Sequence, residues 1–210
     1  MQITGMLWGR KLLDLVEFPH SEVRGPELSV DEIKDMIKRH GQIFIKPLFK
    51  GGVGKKGKAG LMGRVDNITD ALKEKERLYF AEHVDGFNKV KSDGVTYEGG
   101  VPADFEVYFS ISESTEHRCP IMTITHHGGV DIEELGEDKL KVVPFDALTG
   151  LKAFHVSNAL MELGAPTALI SPLVQNLPKL WDLYNNYGML MLELNPIRMQ
   201  SGKGGRLAPV

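Results

Sequence analysis

Cysteine is nearly absent: a chain of 210 residues holds one, Cys119. That excludes an internal disulfide framework and a thiolate metal cluster, and Cys119, next to Pro120, reads as inert. Long apolar runs are missing as well. No stretch approaches the roughly 20 apolar residues of a membrane-spanning helix. The N-terminal region carries Asp14 and Glu17 close behind Leu12-Leu13 and has no signal-peptide core. No membrane partner is expected, and the cytoplasm is the default location. Charge of one sign is also scarce. With 25 Lys and Arg against 28 Asp and Glu, the formal net charge is −3, which argues against general nucleic-acid binding. There is no internal repeat and no low-complexity segment. What remains is an ordinary globular composition, 42% apolar, long enough for one domain or two small ones.

One absence is local. Between Gly41 and Val65 there is no acid, while Lys46, Lys50, Lys55, Lys56, Lys58 and Arg64 all fall there. The segment reads as a strand over Gln42–Ile45, a loop through Gly51-Gly52-Val53-Gly54-Lys55-Lys56-Gly57-Lys58-Ala59-Gly60, and a second strand over Leu61–Val65. Glycines allow sharp turns and close backbone approach, freed N–H groups form anion-binding concavities, and lysines add point charges suited to phosphate. Such a flap could close over a polyphosphate. The spacing is neither a P-loop nor a Rossmann pattern. A solvated basic hairpin or a local nucleic-acid patch fits the same residues.

The other elements follow from periodicity. Met6–Phe18 has helical spacing up to Pro19. Ser29 and Glu32 form a capping box for a helix to His40, with Ile33, Met36 and Ile37 on one face and Gly41 as its stop. A short helix over Asn67–Glu76 and a linking strand over Leu78–Val84 come next. Phe87–Pro102 reads as an exposed polar excursion, with a hairpin as the alternative. Phe105–Ser112 alternates as a half-buried strand, with Pro120–Thr125 as its antiparallel partner and Leu140–Pro144 as a short edge strand. Helices over Leu148–Leu163 and Pro172–Tyr187 precede an apolar strand over Met189–Leu194 that Pro196 ends. The fold class is α+β with mixed sheets.

Several residues could carry chemistry. Lys46 sits in the apolar strand Ile-Phe-Ile-Lys-Pro, where an ammonium is costly to bury without an anion; it leads into the glycine loop, and we read it as functional over a solvent-facing lysine. Glu82 could accept hydrogen bonds from ribose hydroxyls or an amino group, or could end a strand in solvent; the residues alone do not choose. Glu106 shares a face with Tyr108, and a solvent-facing glutamate is the commoner case. Glu193 and Asn195, one residue apart at the end of an apolar strand, suit Mg²⁺, which takes hard oxygen ligands and bridges to phosphates. His126 and His127, adjacent on a strand, point to opposite faces and cannot share a metal; we read them as turn histidines over catalytic ones. The methionines Met189, Met191 and Met199 read as core.

Three stretches resemble one family. Lys56-Gly57-Lys58-Ala59-Gly60 looks like the Arg-Gly-Lys-Ala-Gly flap of the nucleoside-diphosphate-forming acyl-CoA synthetases. Gly128-Gly129-Val130-Asp131-Ile132-Glu133 is similar to their Gly-Gly-Val-Glu-Ile-Glu, and Leu192-Glu193-Leu194-Asn195-Pro196 to their Glu-Ile-Asn-Pro-Leu. The order also fits, from about Lys11 to Arg198. His126-His127-Gly128-Gly129-Val130-Asp131, Gly9-Arg10-Lys11-Leu12-Leu13 and Lys46-Pro47 resemble ATP-citrate lyase and citryl-CoA synthetase more than succinyl-CoA synthetase.

The resemblance implies an ATP-grasp fold, with a body over 1–17 and 83–210 and a flap over 18–82. It implies ATP and Mg²⁺ as cofactors. Lys46, Lys55, Lys56, Gly57 and Lys58 would hold the phosphates. Glu82 and its neighbours from Ala81 to Val84 would line the adenine, Glu106 would meet the ribose, and Asn195, with Glu193, would meet the metal. It implies a ligase that activates a citrate-like di- or tricarboxylate for CoA thioester formation through a phosphohistidine on a partner half, in hetero- or homo-oligomeric assembly, as in tricarboxylic acid cycle chemistry. Succinyl-CoA or malyl-CoA synthetase, or a non-catalytic nucleotide-binding module, are the alternatives. The family places a second metal-binding Asp after the Asn-Pro strand, whereas no acid follows Glu193 here. The CoA-binding domain and the phosphorylated histidine are also lacking. The chain is therefore expected to be a fragment or shortened form, incomplete for catalysis alone.

Overall fold

The computed structural model describes residues 5–49, 60–85, 88–129, 132, 135–201 and 207–209. The chain divides into two compact units, Met1–Lys11 with Ser21–Val101, and Leu12–His20 with Pro102–Val210. The boundary expected at 82/83 falls inside the first unit, and the chain passes to the second between Val101 and Pro102.

In the first unit, helix α1 (Met6–Asp14) runs through the first boundary. Helix α2 (Val30–His40) starts at the capping box: the Glu32 amide donates to Ser29 Oγ (3.3 Å) and the Ser29 amide donates to the Glu32 carboxylate (2.8 Å). Ile33, Met36 and Ile37 are its buried residues, and Gly41 closes it at φ 72°. Strands β2 (Ile43–Pro47) and β3 (Gly63–Val65) pair antiparallel, Ile43 against Val65, as the two arms expected around the basic loop. The loop residues 50–59 lie outside the described residues.

Helix α3 (Ile68–Tyr79) is capped by Asn67, whose side-chain oxygen accepts from the Asp70 amide (2.9 Å). It continues through Leu78 and so replaces the first half of the strand expected over Leu78–Val84. Ala71 and Leu78, two turns apart, are both fully buried, and that helical register outweighs the β-prone look of Leu-Tyr-Phe. Strands β4 (Glu82–Asp85) and β5 (Asn88–Lys91) form a separate two-stranded sheet.

The expected polar excursion over Phe87–Pro102 is overturned. Its second half is β6 (Val95–Gly99), placed between β1 (Val23–Arg24) and β2 in a four-stranded sheet ordered β1-β6-β2-β3. Val95 and Tyr97 are fully buried in the same core as Ile33, Met36, Ile43 and Ile45.

Beside this sheet, Glu22 accepts hydrogen bonds from Arg24 (3.0 Å), Arg39 (2.9 Å) and His40 (2.8 Å). Burial pushes its carboxyl up, but the hydrogen bonds from His40, Arg39 and Arg24 outweigh it and hold it at about 2, below the usual 4.5. A carboxyl depressed on folding stabilises fully above its unfolded pKa, and that contribution is lost as pH falls through the folded one. Glu22→Gln should therefore flatten the difference in urea midpoint between pH about 4.5 and 2 relative to the parent. Parallel curves for parent and variant would show that the cluster is not coupled to folding.

The second unit is built on a five-stranded antiparallel sheet ordered β11-β10-β7-β8-β9, from β7 (Phe105–Ser114), β8 (Cys119–Thr125), β9 (Lys141–Pro144), β10 (Met191–Ser201) and β11 (Leu207–Pro209). β9 is the edge strand expected. The centre of β7, Val107 to Ile111, is buried at every residue, not half-buried.

Helix α4 (Ala153–Glu162) starts later than Leu148, because the Asp146 carboxylate accepts from the Leu148 (2.9 Å) and Thr149 (2.8 Å) amides and holds a turn instead. The helix expected over Pro172–Tyr187 is two helices, α5 (Thr167–Asn176) and α6 (Lys179–Asn186). They separate at Pro178, which has no N–H to continue the ladder. Pro196 does not end β10. Leu194 pairs with Phe109 and Ile197 with Val107, so Asn195 and Pro196 both face the single residue Tyr108. Such a bulge tolerates proline and re-aims the side chains next to it.

Candidate functional site

The expected site residues fall in both units. In the first, Lys46 is on β2 with Thr96 opposite it on β6, and its ammonium pairs with the Glu98 carboxylate. The strand alternation that buries Ile43, Ile45 and Pro47 leaves Lys46 half-buried on the other face. The half-buried lysine thus has an anionic partner, one that was missed in the sequence. The signal was the β-prone run Val-Thr-Tyr-Glu between Gly94 and Gly99.

Glu82 sits in the β4–β5 hairpin, where Lys89 Nζ lies 2.6 Å from its carboxylate and the hydrogen bond and charge of Lys89 lower its pKa. Val84 in the same hairpin is 64% exposed. The chain crosses to the second unit not at this stretch but between Val101 and Pro102, just past β6. Lys55, Lys56, Gly57 and Lys58 lie outside the described residues, as do Val130, Asp131 and Glu133.

In the second unit, two of the expected stretches meet on β7. Arg198 pairs with Glu106 across β10 and β7, and its Nε donates to Glu106 Oε1 (3.2 Å). The chain leaving β8 turns at Gly128-Gly129. The Gly128 amide donates to the Glu106 carbonyl (2.8 Å), and the Gly129 amide donates to Asn195 Oδ1 (3.0 Å). Glu193, opposite Ser110, stands beside Tyr108. Burial raises the Tyr108 hydroxyl pKa; a hydrogen bond with Ser110 opposes this, and the Glu193 carboxylate adds to it.

His126 and His127 lie just past β8, so strand alternation does not separate them; their ring centroids are 4.2 Å apart. Burial, then the neighbouring His127, lowers the His126 pKa. Its Nδ1 is buried without a hydrogen-bond partner among the described residues.

Among the described residues, no group of three or more His, Cys, Asp or Glu is placed to hold a metal. The donor set at the bulge is of another kind: one amide oxygen, Asn195 Oδ1, and one carboxylate, Glu193, both on exposed residues. Two hard oxygens with room for phosphate oxygens and water suit Mg²⁺. No helix among the described residues is long and apolar enough to cross a membrane.

Comparison with known proteins gives the geometry a family. The chain is 28% identical over 185 residues to the beta subunit of ADP-forming succinate–CoA ligase from Desulfatibacillum aliphaticivorans, a match covering 85% of this chain and 48% of that one. The chain spans about half the length of the curated relatives it matches. Among solved structures, ATP citrate lyase from Methanothrix soehngenii, in complex with citrate and coenzyme A, superposes with a TM-score of 0.66 at 21% identity, over 97% of this chain and 46% of that one. A dinucleotide-forming acetyl-coenzyme A synthetase from Ca. Korarchaeum cryptofilum superposes with a TM-score of 0.64 at 13% identity, over 96% and 90%. The ATP-grasp domain family matches residues 16–199, and the chain belongs to that family.

Proposed function

We propose that this chain is the Mg-ATP-binding portion of an ADP-forming acid–CoA ligase that activates a di- or tricarboxylate. One observation carries the reading. Glu106, the Gly128-Gly129 turn and Asn195 in the β10 bulge are far apart in sequence, yet hydrogen bonds from the two glycine amides join them. On this reading Lys46 and the glycine–lysine loop serve the phosphates, Glu106 the ribose, and Asn195 with Glu193 the metal.

Bound there, Mg²⁺ would neutralise phosphate charge. The chain's own groups position the nucleotide and offset charge, which is most of what a protein does in phosphoryl transfer. In the full reaction the γ-phosphoryl group passes to a histidine nitrogen of a partner half, then to the substrate carboxylate. The CoA thiol displaces phosphate to leave the thioester. A citrate-like acid is favoured by the His126–Asp131 segment, a succinate-like one by the curated relatives. The linking strand of the nucleotide site is β6, from Val95 to Gly99, in place of the hairpin at Glu82.

The test is phosphoryl transfer. With γ-labelled ATP, Mg²⁺ and a partner chain carrying the CoA-binding domain and the acceptor histidine, acid-labile label should appear on the partner only when this chain is present. Stoichiometric ATP binding without transfer would instead make this a nucleotide-binding module.

A further inference from the structure

The reading above assigns the Gly128-Gly129 turn no task of its own at the nucleotide or the metal, although it touches two of the residues that have one. At Gly128 a side chain is excluded by backbone: a Cβ would lie 2.6 Å from the Val107 carbonyl carbon and 2.8 Å from the Val107 nitrogen. At Gly129 φ is +73°, a region L side chains rarely adopt, and a Cβ would run into the Glu106 carboxylate. The Gly128 amide ties the turn to the Glu106 carbonyl (2.8 Å). That leaves the next amide, Gly129, facing Asn195 across the bulge, 66 residues away in sequence (3.0 Å).

An N–H only donates, so this contact selects the oxygen end of the amide. With Oδ1 held by Gly129, one of its two lone pairs is used and the other suffices for a cation. Without it, the amide can turn its NH₂ into the same place, and NH₂ is no ligand for Mg²⁺. The missing Cβ at Gly129 also leaves the space that the Glu106 carboxylate fills.

We propose that Gly128 and Gly129 are positioning residues for the metal–nucleotide site: they fix the Asn195 amide with Oδ1 as the ligand atom and keep Glu106 beside it. This rests on the Mg-ATP reading. Turns that only close a loop would affect stability and nucleotide binding alike; this one acts on the metal dependence.

The experiment is a calorimetric titration of ATP into the 210-residue chain across a series of MgCl₂ concentrations, for the parent and Gly129→Ala. The proposal expects the half-saturating Mg²⁺ concentration to rise about tenfold. Metal-free ATP affinity should stay within about threefold, a small step on the same scale. An unchanged Mg²⁺ dependence, or equal losses with and without Mg²⁺, overturns the proposal. Should Gly129→Ala fail to fold, Mn²⁺ with ATP added to the ¹⁵N-labelled parent decides. The Gly129 amide and the Asn195 side-chain NH₂ signals should broaden first, and their persistence while other signals vanish overturns the proposal. A parent that shows no Mg²⁺-dependent ATP binding overturns the functional reading itself, and this inference with it.

Discussion

Replacing Lys46 by Met is expected to weaken ATP binding by about 1.5–3 kcal/mol, the range for a hydrogen bond to a charged group. Lys46 stands on a strand whose neighbours Ile43 and Ile45 are fully buried, and its ammonium is held by Glu98 from the adjacent strand. Glu98 thus fixes the direction of the ammonium, and the arriving phosphates compete with a single carboxylate for it. AMP has no outer phosphates and should lose little in the same variant. The substitution also leaves Glu98, whose side chain is 13% exposed, without its ion partner, so the first unit should lose on the order of 1 kcal/mol of stability. Calorimetry well below the variant's melting temperature separates the two effects. An ATP affinity equal to the parent's would make Lys46 a structural lysine paired to Glu98 and nothing more.

Phe109→Ala should cost the second unit about 3–5 kcal/mol, the usual cost of truncating a buried aromatic and leaving a cavity. Phe109 is fully buried in the middle of β7, with Ile124 opposite it on β8 and Leu194 on β10. Both neighbouring strands constrain the backbone, so the site can collapse little. The same strand carries Glu106 and faces the bulge that aims Asn195, so loss of order there should also weaken Mg²⁺-dependent ATP binding. Urea unfolding followed by near-UV signals of Trp181, which belongs to this unit, measures the cost. A change below about 1 kcal/mol would mean that β7 is not the centre of the unit's core.

Where local rules decided the structure, the sequence was legible. The Ser29–Glu32 box, the Gly41 stop and the buried face of α2 need only near neighbours. The β2–β3 hairpin around the basic loop was legible for the same reason. Three of the failures share a cause: a partner distant in sequence. β6 looked like a polar loop because Thr96, Glu98 and the glycines hide a strand whose charge is matched by Lys46. Pro196 looked like a strand end because nothing local announces a bulge set by pairing with β7. α3 ran past its expected end because Leu78 is claimed by the core of the first unit. At the site, residue types suggested Asn195 and Glu193. They did not suggest that a glycine amide would hold the Asn195 side chain, since that bond spans 66 positions.

The central claim is that this chain binds ATP in a metal-dependent way through the bulge on β10. One titration tests it most directly: ATP into the 210-residue chain, with and without MgCl₂, repeated with Asn195→Ala. The account predicts saturable one-site binding that Mg²⁺ strengthens, with most of that strengthening lost in Asn195→Ala. No saturable binding, or a Mg²⁺ effect of the same size in Asn195→Ala, would contradict it.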